Sequence, residues 1–299
     1  MKKVLSYFYE ILPHLLFALL ILLIYTPCIP KIEDRFVFTL VAVLFEINLI
    51  VRRKKTAIRN ISIIVFAFFD IWTFVTTKFE TSNTMLYPVP QNVFGVFATD
   101  YLKILEGLGS SLWLLSIGFF FALTLGIGLG LVVGWFKNLR EALFPIAKVV
   151  STIPPIVYIP YAVALLPSFK VAQIFVIFCS IFWGTFMSMI INVSNIDRKI
   201  LDSAKTLNIT SLDLLLNVLL PYSLPGVVKG LTVSLASSFM VLTAAEMIGD
   251  TSGLGWYVKY YSDFADYKRA IAGIIMIGVV VTILSKLIEI ADKAFIKWK

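Results

Sequence analysis

Three carboxylates, Glu46, Asp70 and Glu246, sit inside long apolar runs of this 299-residue sequence. A carboxylate at membrane depth is costly unless paired, neutralised or turned toward water, so each is a candidate for ion coupling, gating or structural hydrogen bonding. Other chemistry finds little support. His14 is the single histidine and reads as a satisfied interfacial residue. Cys28 and Cys179 lie in or beside apolar runs and suggest neither a disulfide framework nor a metal site. Nucleophile, base and metal ligands do not cluster, which disfavours a membrane-embedded enzyme and leaves no candidate catalytic residue or metal ligand. Gly126-Ile127-Gly128-Leu129-Gly130 resembles a nucleotide loop in spacing, but it lies mid-run without a strand, and no GxxxxGK[ST] occurs. The chain therefore does not bind ATP through a P-loop.

The elements that must position these residues are membrane helices. Hydrophobic residues make up 59% of the chain and charged residues only 15%, against roughly 25% charged in a soluble domain, and mean hydropathy is +0.92. Apolar runs at 11–28, 36–51, 61–77, 112–135, 143–166, 171–193, 226–248 and 270–291 each approach the ~20 residues a spanning helix needs. The expectation is an all-α polytopic membrane protein with about eight transmembrane helices. The first run reads as a retained span rather than a cleaved signal. With the N-terminus in the cytoplasm, 18 of the 26 Lys and Arg residues fall on inner segments, as positive-inside topology requires. The net charge of +8 thus reflects topology rather than nucleic-acid binding. Both termini and residues 194–225 are placed inside.

The chain divides into accessory helices over 1–85 and a core over 86–299. Asn92–Leu108 is read as an amphipathic helix on the outer surface. Gly126, Gly130 and Gly134 share one helix face and permit close approach of a neighbour. Pro154, Pro155 and Pro160 break the fifth run, as a bend lining a pathway or as a packed kink. Glu246, near Gly253 and Gly255, is a candidate gate residue, an acceptor for the loop glycines or a direct substrate contact. Glu46 and Asp70 have each other, Arg52, Arg53 or the core as candidate partners. The outer segment 249–269 is aromatic; Trp256, Tyr257, Tyr260 and Tyr261 suit an interfacial belt or a protein-docking surface.

Residues 194–225 are too structured for a simple turn. Asp197 or Ser194 opens a helix in which Ile200, Leu201, Ala204 and Leu207 recur at helical spacing, and Asn208 suits a left-handed C-terminal cap. Thr210 and Asp213 form a capping box for a second helix, which Pro221 is expected to end.

The spacing of Asp202-Ser203-Ala204, Asn208 and Val218-Leu219-Leu220-Pro221 resembles the EAA motif of permease subunits of binding-protein-dependent ABC importers. Ile153-Pro154-Pro155, Ile159-Pro160, Leu224-Pro225, Gly230-Leu231, Ala245-Glu246-Met247-Ile248-Gly249 and Ser252-Gly253-Leu254-Gly255, with Pro88-Val89-Pro90 and Ser111-Leu112, are similar to the nitrate/sulfonate/taurine-type branch. The chain departs from that branch at Leu114, where an Arg is common, and at Leu165-Leu166-Pro167, where Trp-Phe-Gly is common.

The resemblance implies a type I importer permease: a core of five helices, here with three N-terminal helices, in a bacterial cytoplasmic (inner) membrane. It implies two permease copies, with a homodimer expected, two cytoplasmic ABC ATPase subunits that bind ATP and Mg, and an extracytoplasmic substrate-binding protein. Leu201, Asp202, Ser203, Ala204, Lys205, Leu207, Asn208 and Pro221 would couple to the ATPase. Pro154, Pro155, Pro160, Glu246, Gly253 and Gly255 would form the pathway or gate. The competing reading is a stand-alone secondary transporter using Glu46, Asp70 and Glu246 as coupling carboxylates.

Overall fold

The computed structural model describes residues 2–26, 32–52, 55–78 and 85–295. Cys28 and Arg53 lie outside the described residues, as does the side chain of Lys205. Regular structure among the described residues is helical throughout. The elements are α1 (Lys2–Tyr25), α2 (Phe36–Val51), α3 (Thr56–Lys78), α4 (Pro90–Thr99), α5 (Tyr101–Trp135) and α6 (Lys137–Ser151). A 3₁₀ turn (Pro155–Tyr158), α7 (Ile159–Leu165), α8 (Phe169–Ser194), α9 (Arg198–Thr206) and α10 (Ser211–Asp213) follow. A π-helical turn (Leu214–Leu219), α11 (Leu220–Gly249), α12 (Leu254–Asp263) and α13 (Tyr267–Phe295) complete the chain.

Packing divides the chain into one unit of Met1–Leu105 with Tyr257–Ile275 and another of Glu106–Trp256 with Met276–Lys299. This differs from the motif-based partition at residue 85, because α4 packs on α2 and residues 257–275 group with the N-terminal helices. In the first unit, Phe17 meets Phe66 at 5.7 Å and Arg59 lies over the Tyr9 ring at 4.5 Å, so α1 and α3 run parallel. Helix α2 returns between them, placing Phe45 on Phe66 and Phe38 on both Phe69 and Phe94. Leu20, Ile24, Phe38, Ala42, Phe66 and Phe94 form the core. The expected surface helix over 92–108 is instead two elements meeting at Asp100. Most of α4, from Pro90 to Val96, is buried, because its apolar face packs inward.

In the second unit, α5 lies directly on α8. A Cβ on Gly126 would sit 3.0 Å from the Thr185 methyl, one on Gly130 2.9 Å from the Phe186 carbonyl, and one on Gly134 3.2 Å from the Ile190 Cα. Only glycine allows backbones this close, which realises the small-residue stripe read from the sequence. The same contacts fix the two ends of the unit. Gly134 and Val193 lie at the end carrying α9, whereas Phe169, Gly249 and the Ser110–Ser252 contact lie at the other.

That arrangement resolves the broken segment. Arg140 donates to the Gly134 carbonyl at 2.8 Å, at the α9 end, while Phe169 lies at the opposite end. Helices α6 and α7, bent by 84°, must therefore traverse the unit and form one broken span rather than a re-entrant loop. Among the described residues, five helices are long and apolar enough to cross a membrane unaided, and this pair makes a sixth. Tyr9–Tyr25 and Phe36–Val51 are apolar but shorter, so length and composition support six of the eight expected crossings.

Pro221 does not end a helix. Ser211–Gly249 runs on as 39 residues that pass the spanning test as one element. The π-turn just before the proline explains this: the Leu220 amide reaches the Leu215 carbonyl, five residues back. The widened turn gives the ring room, and Pro221 lies in the first turn of α11, where its missing N–H is tolerated.

Candidate functional site

The segment around α9 is built by local rules. The Asp197 carboxylate accepts from the Lys199 amide at 3.0 Å. Ile200 and Leu201 pack against a core of Leu131, Met189, Val193, Ile196, Leu219 and Val227. Ala204 is buried and Leu207 is 75% exposed, so the helix turns Ala204 inward and offers Leu207, with Leu212 at 65%, to the outside. Asp202 and Ser203 are exposed, and Ser203 donates to the Lys199 carbonyl. Asn208 has φ of +48°, the left-handed cap expected of it. The Thr210 hydroxyl accepts from the Asp213 amide at 3.2 Å, as the capping box requires.

At the opposite end of that unit, Glu246 is fully enclosed, with 1% of its surface exposed. Its carboxylate accepts from the Ser111 hydroxyl at 2.6 Å and from the Gly255 amide at 2.7 Å. Ser111 in turn accepts from the Leu254 amide at 2.9 Å. Leu254 and Gly255 open α12, whose first amides have no partner within their own helix. Side chains from α5 and α11 thus cap a third helix. Gly253, at φ +107°, turns the chain into this position, and a side chain at Gly255 would collide with the Thr243 carbonyl and the Glu246 carboxylate. Burying a carboxylate costs several kcal/mol, roughly, which two charge-assisted hydrogen bonds at about 1.5–3 kcal/mol each can offset. Gln173, also buried, donates to Asp250 at 2.8 Å beside this cap.

The aromatic segment is a helix with two different faces. Tyr257 and Tyr261 are buried, and both hydroxyls donate to Asp100, at 3.3 and 3.5 Å. Arg269 completes that cluster, donating to Asp100 at 2.7 Å and to Asp266 at 2.5 Å. Burial, then the neighbouring Asp100 charge, pushes the Tyr257 phenol above its ordinary range. These two tyrosines are therefore removed from any docking surface: their rings fill the core and their hydroxyls hold a buried acid. Trp256 is half-buried, while Tyr260 and Phe264 are exposed. Asp100 was not singled out from the sequence, and Arg269 stood out only as one charge of the outer segment, since nothing local links positions 169 residues apart.

Pro154 and Pro155 stand at the sharp bend of the broken span, and Pro160 lies in the first turn of α7. Pro154 and Pro160 are exposed and Pro155 half-buried. Among the accessory helices, Glu46 pairs with His14, which satisfies the lone histidine. Asp70 is buried, and neither oxygen has a hydrogen-bond partner among the described residues. A groove of about 710 Å³ lined by Leu112, Phe119, Phe120, Leu131, Leu220 and Leu235 is apolar. No group of metal-ligating side chains occurs among the described residues.

Comparison with known proteins covers the same stretch. A family model described as "Binding-protein-dependent transport system inner membrane component" matches residues 122–298. The nitrate import permease protein NrtB of Leptolyngbya laminosa is 30% identical over 181 residues, 60% of this chain and 65% of that protein, just under two thirds of its length. The taurine transport system permease protein TauC of Escherichia coli (strain K12) is 26% identical, over 76% of this chain and 85% of that protein. The putative aliphatic sulfonates transport permease protein SsuC of Bacillus subtilis (strain 168) is 24% identical, over 77% and 83%. Among solved structures, an inward-facing form of the MetNI methionine ABC transporter aligns with a TM-score of 0.53 and 20% identity. That alignment covers 66% of this chain and 95% of that chain, a likeness of fold.

Proposed function

The chain belongs to the family of binding-protein-dependent transport system inner membrane components, and from that premise we propose that it is the permease subunit of an ABC importer for a small polar solute. One observation carries the reading. The matched region contains a continuous helix, Ser211–Gly249, which joins the end bearing α9 to the end bearing Glu246. A partner that moves α9 therefore acts on the far cap through a single element.

In this reading α9 docks on a cytoplasmic ATPase that binds ATP and Mg²⁺, and Asp202, Leu207 and Leu212 offer the contact surface. Leu201 and Ala204, packed inward, hold the helix to the core, and Asn208 fixes where it stops. Glu246, Gly253 and Gly255 form the outer gate, and Pro154, Pro155 and Pro160 line the pathway. A second copy completes that pathway as a homodimer. An extracytoplasmic binding protein delivers the solute to a face that includes Trp256, Tyr260 and Phe264. Both termini lie in the cytoplasm of a bacterial cell. The relatives named for nitrate, taurine and sulfonates support a small polar cargo.

Co-purification tests the reading. An ATPase subunit is expected to stay bound to the wild-type complex and to be lost on Leu207→Arg or Asp202→Lys, with the melting temperature of the permease within a few degrees. ATP-independent uptake by the chain alone in proteoliposomes would overturn it.

A further inference from the structure

The broken span places irregular backbone at the centre of the membrane. Helix α8 is 26 residues long, about 39 Å, so the ~30 Å hydrocarbon core is centred near Ile181 and Phe182. The Ser151 hydroxyl lies 3.2 Å from the sulfur of Met187, on the α9 side of that midpoint. Ile159 and Ala162 pack with Ala172 and Val176, on the other side. Thr152–Tyr158 therefore passes the middle of α8.

Pro154 and Pro155 donate no hydrogen bond, so the carbonyls of Val150 and Ser151 lose the donors a continuous helix would supply. The Ile153 amide reaches Val150 instead, at 3.1 Å. Ser151, Thr152, Ile153 and Pro154 are all exposed. Irregular backbone is not tolerated against lipid at this depth; it persists where protein covers it or where it lines water. The exposed side chains here include two hydroxyls, whose hydrogens are committed to the Lys148 and Val149 carbonyls at 3.0 and 2.7 Å. Beside the apolar Ile153 and Pro154 side chains, the polar atoms left for an outside partner are acceptors: the lone pairs of the two hydroxyls and the Ser151 carbonyl that Pro155 leaves without a helical donor.

We propose that Ser151–Pro155 lines a water-filled compartment at the membrane midplane and forms an acceptor-rich contact for a solute carrying N–H or O–H donors. This rests on the permease reading and adds a residue-level contact to it.

Single-cysteine variants Thr152→Cys and Ser151→Cys, with the native cysteines replaced, test it in open membrane fragments containing the assembled complex. Ile71→Cys on α3, exposed at 65% and near mid-helix, is the lipid-facing control. A cationic methanethiosulfonate is expected to modify Thr152→Cys at least tenfold faster than Ile71→Cys. It should also outpace an anionic reagent of similar size once both rates are corrected for free thiol. Equal rates at the two positions, or no reaction at either Thr152→Cys or Ser151→Cys with charged and neutral reagents alike, would overturn the aqueous assignment. A faster anionic reagent would overturn the acceptor assignment. Failure of the permease reading would appear separately, as an ATPase absent from the wild-type complex.

Discussion

At the residue scale, two positions show how much a single side chain can decide. Asn208 occupies the left-handed region, which only Gly, Asn and Asp visit cheaply, so α9 stops there without a glycine. Asn208→Gly should melt within a degree or two of wild type, whereas Asn208→Val should cost about 1–2 kcal/mol and lower the melting temperature measurably. Glu246 and Ser111 hold two amides of α12 between them. Ser111→Ala strands the Leu254 N–H, and Glu246→Gln replaces one acceptor oxygen with a donor. Each is expected to cost about 1–3 kcal/mol and to lower ATP-driven uptake several-fold, read by thermal unfolding in detergent and by transport in vesicles. The cap at Asn208 was legible in the sequence because it depends on neighbours within one turn. The cap on α12 was only half legible: Glu246 stood out as an acid in an apolar run, but its bond to Ser111 spans 135 positions.

At the element scale, the same distinction separates what the sequence revealed from what it hid. The stripe of Gly126, Gly130 and Gly134 announced a close helix contact because small residues every four positions have few other uses in lipid. The fate of Pro221 was hidden. Proline ordinarily ends a helix, and the rule gave way to six residues, Leu214–Leu219, that widen into a π-turn. The aromatic segment 249–269 likewise suggested an interfacial belt or a docking surface, whereas helical periodicity sends Tyr257 and Tyr261 inward and leaves Tyr260 outside. Deleting Leu216 would convert the π-turn to ordinary α-helix and rotate everything before it by about 100° relative to α11. The expected result is a complex that inserts normally and loses more than tenfold of its ATP-driven uptake, measured at equal permease levels.

At the scale of the whole molecule, the accessory helices raise the question of whether their acids work in transport. Asp70 is buried with no hydrogen-bond partner among the described residues, a cost to folding rather than a gain. Asp70→Leu is expected to keep ATP-driven uptake within twofold of wild type and to raise stability by about 1–2 kcal/mol, read as a higher melting temperature in detergent. Abolished uptake in a folded Asp70→Leu protein would instead assign this acid to ion coupling. The six crossings supported by length were legible from hydropathy alone; the division into two units was not, because residues 257–275 join helices more than 150 positions earlier. One mechanical consequence follows from the unbroken run Ser211–Gly249. Its 39 residues reach about 58 Å, so it acts as a lever arm. Pivoted near one end, a tilt of only about 5° displaces the other by roughly 5 Å, comparable to one helical turn. In the proposed coupling, a small rotation imposed at α9 would be magnified into a stroke large enough to pull the first turn of α12 off its cap.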